Sequence, residues 1–242
     1  DVVKSWNVAL NDFVLEPTYF AKVGRSSIKF QYTHNSGEDR RIDPAKTNLI
    51  DIYMLTSSYD TAYRNWLTSG SGSEPLAPTS NSLEQSYSSL LEPIKSVSDT
   101  LIYHPAKYKV LFGTQASSNL QATFKAVKNS ATSISDNELK TGILTAINNF
   151  FAVENWEFGQ SFNFGELATY VMNEMTPYIV NFVLVPKTNI VFGSLFEVSC
   201  QSDEIFISGA KIADIEIIDS LTASQINATS NIVINTCLLY TS

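Results

Sequence analysis

The sequence predicts an α+β fold with small mixed sheets, amphipathic helices and a β-rich C-terminal part. In four segments, apolar residues recur at helical spacing, which places them on one face of a helix. Other stretches alternate apolar and polar residues with the period of a half-buried strand. Two helices that feed a strand and are followed by a meander of short strands are typical of the α+β class. The predicted helices cover residues 57–69, 82–96, 136–151 and 164–175.

We interpret residues 1–67 as an N-terminal α/β part. SIKFQYT predicts a strand from residue 28 because its apolar and polar side chains alternate, and NLIDIYMLT predicts a second strand over 48–56. The helix of 57–69 follows, and TSGSGSEPLAPTSN then predicts a Gly/Ser/Pro linker over 68–81. The predicted apolar face of this helix is Tyr59, Ala62, Tyr63, Trp66 and Leu67.

Residues 82–190 predict an α+β core that opens with the helix of 82–96. Pro93 is expected to kink or end this helix near Glu92, because proline cannot donate the helical hydrogen bond. Two extended segments are predicted next, at about 107–117 and 121–128. The apolar face of the first helix consists of Leu83, Tyr87, Leu90, Leu91 and Ile94.

The helix of 136–151 has the clearest start signal in the chain. In SDNEL, Ser135 is placed to cap the helix and Glu138 to bond back to it. Asn163 and Glu166 form a similar pair before the helix of 164–175, and a strand is predicted over 178–185. The two apolar faces are Leu139, Ile143, Ala146, Ile147 and Phe150, and Leu167, Ala168, Val171 and Met175.

Residues 191–236 predict the C-terminal strands, from SLFEVSC, EIFISG and KIADIEIID. The last six residues, CLLYTS at 237–242, are what TGTCTCTTATACACATCT encodes. That string resembles the transposon mosaic end used to build sequencing libraries, so we interpret 237–242 as a translated sequencing adapter. Since the chain also lacks an initial Met, we expect a fragment of a longer reading frame.

The composition argues against several kinds of partner and scaffold. A net charge of −8 would repel phosphate backbones, so nucleic acid is not an expected partner. No apolar run is long enough to predict a membrane span. Cys200 and Cys237 do not make a disulfide framework, and the alternation around Cys200 predicts a buried, inert thiol.

The chemistry-bearing residues predict no catalytic, cofactor or metal site, and we do not expect an enzyme. His34 and His104 lie in none of the usual metal-ligand spacings. Asp214, Glu216 and Asp219 resemble a carboxylate cluster, but a solvated strand face is the favoured interpretation.

Aromatic residues offer two candidate contact regions. Tyr59, Tyr63 and Trp66 form a stripe at helical spacing, which is typical of a core or a subunit interface. The connection 150–164 between two helices is unusually rich in aromatic residues, which indicates a plug buried against this chain or another one. The residues in this connection are Phe150, Phe151, Trp156, Phe158, Phe162 and Phe164.

Within 99–190, SDTLIYHPAKYKVLFG is followed by ISDNELKTGILTAINNFFAVENWEFGQSFNFGELATYVMNEMTPYIVNFVLVPK. The order of a β pair, a helix, the GQSFNFGEL approach to a second helix and a strand resembles the baseplate wedge proteins of T-even-like contractile-tailed phages, in the baseplate J-like family. LFEVSCQSDEIFISGAKIADIEIIDSLTASQI is similar to the C-terminal strands of the large wedge subunit. The resemblance covers about residues 80–227 and extends weakly to residue 28.

This resemblance implies a structural virion protein in the phage tail baseplate, assembled in the host bacterial cytoplasm. Such a subunit self-associates in a ring around the tail hub and binds other wedge and hub proteins without chemistry. Trp156, Phe158 and Phe162 are the contact residues we expect, with burial in the chain's own core as the alternative. A receptor-binding or adhesin-type tail domain is the alternative function, and it predicts exposed Trp or Tyr on loops beside Asp or Asn. The scattered or helical positions of Trp6, Trp66 and Trp156 disfavour it.

Overall fold

The chain forms two compact units, Asp1–Lys107 and Tyr108–Ser242. The segment 68–81, which we expected to be a linker, lies inside the first unit, and the boundaries expected at 190 and 236 stay predictions. The tail 237–242 lies outside the described part of the chain. The computed structural model describes residues 4–7, 12–15, 28–34, 49–92, 100–188 and 195–222.

A three-stranded sheet forms the centre of the first unit. Strand β4 (Leu49–Thr56) lies between β3 (Ile28–His34), to which it is antiparallel, and β5 (Thr100–Pro105), to which it is parallel. A separate pair consists of β1 (Lys4–Asn7) and β2 (Asp12–Leu15). The sequence predicts β3 and β4 to within one or two residues, but not β5 as a strand of its own.

Helix α1 (Ser57–Ser69) has the predicted bounds. The Oγ1 of Thr56 caps it by accepting a hydrogen bond from the Tyr59 N–H, 3.3 Å away. Gly70 ends it in the left-handed conformation, with a φ of 65°. Of its predicted apolar face, Ala62 is exposed and Trp66 is half-buried, so the buried stripe is narrower than the pattern suggests.

The segment after α1 is held by hydrogen bonds to that helix. The Tyr63 hydroxyl donates to Glu74 at 2.7 Å, and the Trp66 indole N–H donates to the Gly72 carbonyl at 3.2 Å. A Gly/Ser/Pro composition therefore does not produce a free linker here. The two aromatic residues instead anchor this segment to α1.

Helix α2 (Ser80–Leu91) covers one face of the sheet. It begins two residues before the prediction because Thr79 accepts a hydrogen bond from the Ser82 N–H. The predicted continuation to residue 96, with Ile94, lies outside the described residues. The core that α2 completes consists of Ile50, Ile52, Met54, Leu83, Leu91 and Tyr103.

The second unit is built on a sheet whose central strand is β7 (Ala122–Lys128). Strand β12 (Ile215–Ile218) pairs with it in parallel and β9 (Ile179–Pro186) pairs antiparallel. Two shorter pairs complete the described strands of this unit. They are β6 (Lys107–Leu111) with β11 (Glu204–Ser208), and β8 (Phe162–Asn163) with β10 (Glu197–Val198).

Helices α3 (Asp136–Phe150) and α4 (Phe164–Glu174) pack against this sheet and confirm the predicted α+β class. The capping box of α3 is present. The Ser135 hydroxyl accepts from the Glu138 N–H at 3.3 Å, and the Glu138 carboxylate accepts from the Ser135 N–H at 3.1 Å. These bonds satisfy donors that the first turn of a helix leaves unpaired, so the helix starts at a defined residue.

Two predicted strands are shorter in the structure. The segment predicted over 107–117 leaves extended geometry after Leu111, because Phe112 and Gly113 have φ values of 64° and 68°. A Cβ at Gly113 would lie 1.8 Å from the Gly209 carbonyl oxygen, so this close approach requires glycine. In KIADIEIID, residues Ile212–Asp214 form a 3₁₀ turn and only Ile215–Ile218 are a strand.

The aromatic connection 150–164 folds into the core of the second unit. Trp156 is stacked on Phe151 with ring centroids 5.4 Å apart and an interplanar angle of 4°. Its indole N–H donates to the Phe150 carbonyl at 2.8 Å. The prediction that Trp156, Phe158 and Phe162 are contact residues for a partner is therefore wrong. Trp156, Phe158 and Phe162 are 2%, 7% and 0% exposed, so their side chains are buried within this chain.

Candidate interaction surface

Helix α4 presents one buried and one exposed face. Phe164, Leu167 and Val171 are buried, and the Phe164 ring stacks on Phe182 of β9 with centroids 6.1 Å apart. The cap differs in detail from the predicted pair, since the Asn163 Oδ1 accepts from the Gly165 N–H at 2.8 Å. This arrangement turns the polar side of α4 outward.

An open groove of about 540 Å³ runs along that outward face. Its apolar part is a pair of half-buried rings, Phe150 at the end of α3 and Tyr170 on α4, with centroids 5.6 Å apart. Phe150 was predicted to belong to the buried face of α3, but the end of that helix leaves it at the groove. The groove is lined by Phe150, Asn163, Gly165, Glu166, Thr169, Tyr170 and Asn173.

The polar side chains of the groove are not equally available. Asn163 is used by the helix cap, and the Thr169 hydroxyl donates to the Gly165 carbonyl at 2.8 Å. Glu166, Tyr170 and Asn173 have no side-chain hydrogen bond within the part of the chain that the structure describes. At spacings of four and seven residues they lie on one side of α4, so these three groups are the ones a ligand would meet.

The groove lies in an acidic part of the chain. No Lys or Arg occurs between Lys140 and Lys187, whereas four glutamates do. In addition, Glu197 of β10 is the register partner of Asn163 and is exposed. Facing residues of a strand pair point to the same side of the sheet, so Glu197 flanks the groove. The four glutamates are Glu154, Glu157, Glu166 and Glu174.

The lysines of the second unit are mostly engaged elsewhere. Lys125 is fully buried and pairs with Glu216 at 2.8 Å. Lys128 pairs with Asp136 at 2.9 Å, and Lys187 pairs with Asp214. The acidic character of the groove is therefore not offset by these cations.

Large apolar side chains are exposed close to α4. Phe196 is 38% exposed, its carbonyl accepts from the Phe164 N–H at 2.8 Å, and its ring packs edge-on against Phe164 at 5.3 Å. Tyr178 and Val180 are 39% and 53% exposed at the start of β9. Most of the described aromatic residues of this unit are buried, so these exposed apolar side chains are candidates for contact with another protein.

The backbone edge of β9 offers little to an added strand. The Lys187 N–H donates to the Gln121 carbonyl beside β7, so by alternation Phe182, Leu184 and Pro186 direct their backbone groups outward. The outward N–H of Phe182 is occupied by the Asn181 side chain at 2.8 Å, and proline has none. A strand added at this edge would therefore meet few free backbone donors.

Two of the three carboxylates singled out in the sequence form ion pairs within the fold, whereas Asp219 is exposed. Asp214 is 4% exposed, accepts from the Lys211 N–H at 2.8 Å and pairs with Lys187, so a solvated strand face is the wrong interpretation for it. Glu216 pairs across the sheet with Lys125. Among the described residues, no group of three or more His, Cys, Asp or Glu side chains could hold a metal ion.

The two histidines and Cys200 do not come together in one site. His104 Nε2 lies 2.8 Å from Asp51 Oδ1, and its ring stacks on Tyr53 at 5.2 Å. His34 lies in β3. Cys200 is half-buried, and burial, with a smaller contribution from Glu204, raises the pKa of its thiol to about 12.

The chain matches no family model and no curated protein. Within the described ranges, no helix has the length and apolarity needed to cross a bilayer.

Sequence reasoning did not find the groove. Leu167, Val171 and Met175 of the predicted apolar face of α4 are buried, whereas Ala168 is half-buried, and Tyr170 lies between that face and the polar side. The sequence feature that could have indicated it is the segment between Lys140 and Lys187, which contains glutamates but no Lys or Arg. Because charged side chains are rarely fully buried, such a segment predicts an acidic surface.

Proposed function

We propose that this protein is a structural virion protein, a baseplate wedge subunit of a contractile phage tail. In this role it self-associates and binds other wedge and hub proteins in the ring around the tail hub. It performs no chemical step, and its place is the virion, after assembly in the host bacterial cytoplasm. The order of elements from residue 99 to residue 227 supports the proposal through its resemblance to the baseplate J-like family.

The observation that carries the proposal is the contrast between core and surface in the second unit. Rings such as Phe112 and Phe162 are fully buried and in contact at 5.7 Å, whereas Phe196, Tyr178 and Val180 are left exposed. Specific interfaces need apolar anchors of this kind, and stable ones bury about 1,200–2,000 Å² in total. These three side chains replace Trp156, Phe158 and Phe162 as the expected anchors.

The test is co-purification with the products of the flanking genes. A tagged chain is co-expressed with them, and the eluate is compared with that of a Phe196→Ser, Val180→Ser variant. We expect the wild type to retain one or more of these products and the variant to lose them while it remains folded by circular dichroism. A wild-type chain that elutes alone contradicts the proposal.

A receptor-binding function remains a second candidate because of one observation. Tyr170 and Asn173 line the same groove, which sets an aromatic ring near an amide, although the ring is half-buried on a helix and not exposed on a loop as this function predicts. Binding to a panel of bacterial surface glycans, lost on Tyr170→Ala, would favour it over the wedge function. Binding to none of the panel would remove it.

A further inference from the structure

We propose that the groove along α4 receives a basic segment of a partner protein, with one Arg or Lys side chain against Phe150 and Tyr170 and paired with Glu166. This inference rests on the proposed function for the origin of the partner, and it adds the chemistry of the partner surface. The groove itself is defined by the seven lining residues given above.

Charge complementarity is the first argument. Glu166 lies in the groove without an ion pair among the described residues, and Glu197 flanks it on the facing strand. The nearest cations along the chain, Lys140 and Lys187, lie outside α4 on both sides. A carboxylate in such surroundings attracts a cation, and like-charged surfaces are kept away.

The aromatic pair is the second argument. Phe150 and Tyr170 are each half-buried, with centroids 5.6 Å apart, so they offer a partly dehydrated ring surface beside the carboxylate. A guanidinium or ammonium group over such a surface gains cation–π attraction, which is larger where water is excluded. A planar guanidinium can lie on the rings and donate to a carboxylate at the same time, so arginine fits best.

The remaining polar groups suit a polypeptide. The Asn173 amide can donate and accept, and the Tyr170 hydroxyl can do both, which matches the alternating groups of a peptide backbone. A nucleic acid is disfavoured because the groove would set carboxylates against phosphates. A neutral glycan would use the ring and the amide but has no use for Glu166.

The inference is tested on the full chain with a fluorescein-labelled peptide of alternating Gly and Arg, blocked at both ends, at low salt. Removing the carboxylate by Glu166→Gln or the ring by Tyr170→Leu should each weaken binding about three- to five-fold, the size expected for exposed ion pairs and cation–π contacts. Glu174→Gln is the matched control, since it removes the same charge from α4 outside the groove lining. We expect this control to bind within about two-fold of the wild type, because exposed charges outside a contact contribute little.

Equal weakening in Glu166→Gln and Glu174→Gln would overturn the inference, because binding would then follow net charge alone. Absence of binding by the wild type, or displacement of the peptide by a neutral oligosaccharide, would also overturn the inference. A peptide of alternating Gly and Glu should not bind. Urea unfolding of each variant shows that α4 is intact.

Co-expression separates this inference from the proposed function. If the wild type and a Glu166→Gln, Tyr170→Leu double variant both retain the flanking gene products equally, the wedge function stands and the groove inference fails. If the wild type retains none, the wedge function fails, and the peptide titration alone decides the chemistry of the groove. Loss of the partner only in the double variant supports both.

Discussion

Replacing Trp156 tests whether the aromatic connection is core or contact surface. The side chain is 2% exposed, stacks on Phe151, and meets Phe206 edge-on at 5.4 Å. Burying a tryptophan removes about 150–250 Å² from water, and large-to-small changes at such sites cost about 3–5 kcal/mol. Because Trp156→Ala also leaves the Phe150 carbonyl without its donor, we expect a loss at the upper end of that range.

The assay is urea unfolding followed by far-ultraviolet circular dichroism, which does not depend on the removed indole. Trp156→Phe should cost less, about 1–2 kcal/mol, because it keeps a ring and loses the hydrogen bond. Tyr178→Ala is the matched control, an aromatic residue that is 39% exposed, with an expected change within about 0.5 kcal/mol. A loss below about 1 kcal/mol for Trp156→Ala would refute the core assignment.

Three further predictions concern the same unit. The change Ile147→Ala, at a residue of α3 that is 0% exposed, should lower the free energy of unfolding measured in urea by about 2–5 kcal/mol. A loss under about 0.5 kcal/mol would mean that this face of α3 is exposed to solvent. Hydrogen bonds from Ser135 lower the pKa of Glu138, so its stabilisation is present above the unfolded pKa and is lost as the pH falls through the folded one. The gap in unfolding free energy between wild type and Glu138→Gln should therefore shrink below about pH 4, and a constant gap would contradict this. With Cys237→Ser as background, the Cys200 thiol should react with iodoacetamide at pH 8 about 1,000-fold more slowly than glutathione, since its pKa is raised to about 12; a rate within ten-fold of glutathione would count against it.

Local signals made the helices predictable. The capping box at Ser135 and the glycine after Ser69 act within one turn of the chain, so the sequence contains all that is needed to place α3 and the end of α1. Strand β9 was predicted to within one residue because Pro177 and Pro186 bracket an apolar run. The α+β class followed from these elements.

The burial of the aromatic residues in the connection 150–164 could not be predicted from local sequence signals. Phe162 and Trp156 are covered by Phe112 and Phe206, which lie far away in sequence. Periodicity says nothing about a loop whose partners are non-local, so core and interface stayed equally open. The shortening of the strand after Leu111 is similar, because the positive φ of Phe112 accompanies a non-local contact with Gly209.

The groove shows the same limit for function. Its rings come from the end of α3 and the middle of α4, and its flank comes from Glu197 on β10. No local sequence pattern distinguishes any of these residues within its own segment. The acidic run between Lys140 and Lys187 was visible in the sequence, but only the packing of α3 against α4 shows which of its carboxylates lies beside the rings.

Native mass spectrometry of the chain co-expressed with its flanking gene products tests the central claim most directly, because it reports composition and stoichiometry together. The wedge function predicts a complex of defined mass that contains this chain and at least one of those products. A spectrum in which the chain appears only as a 26.8 kDa monomer would contradict that function.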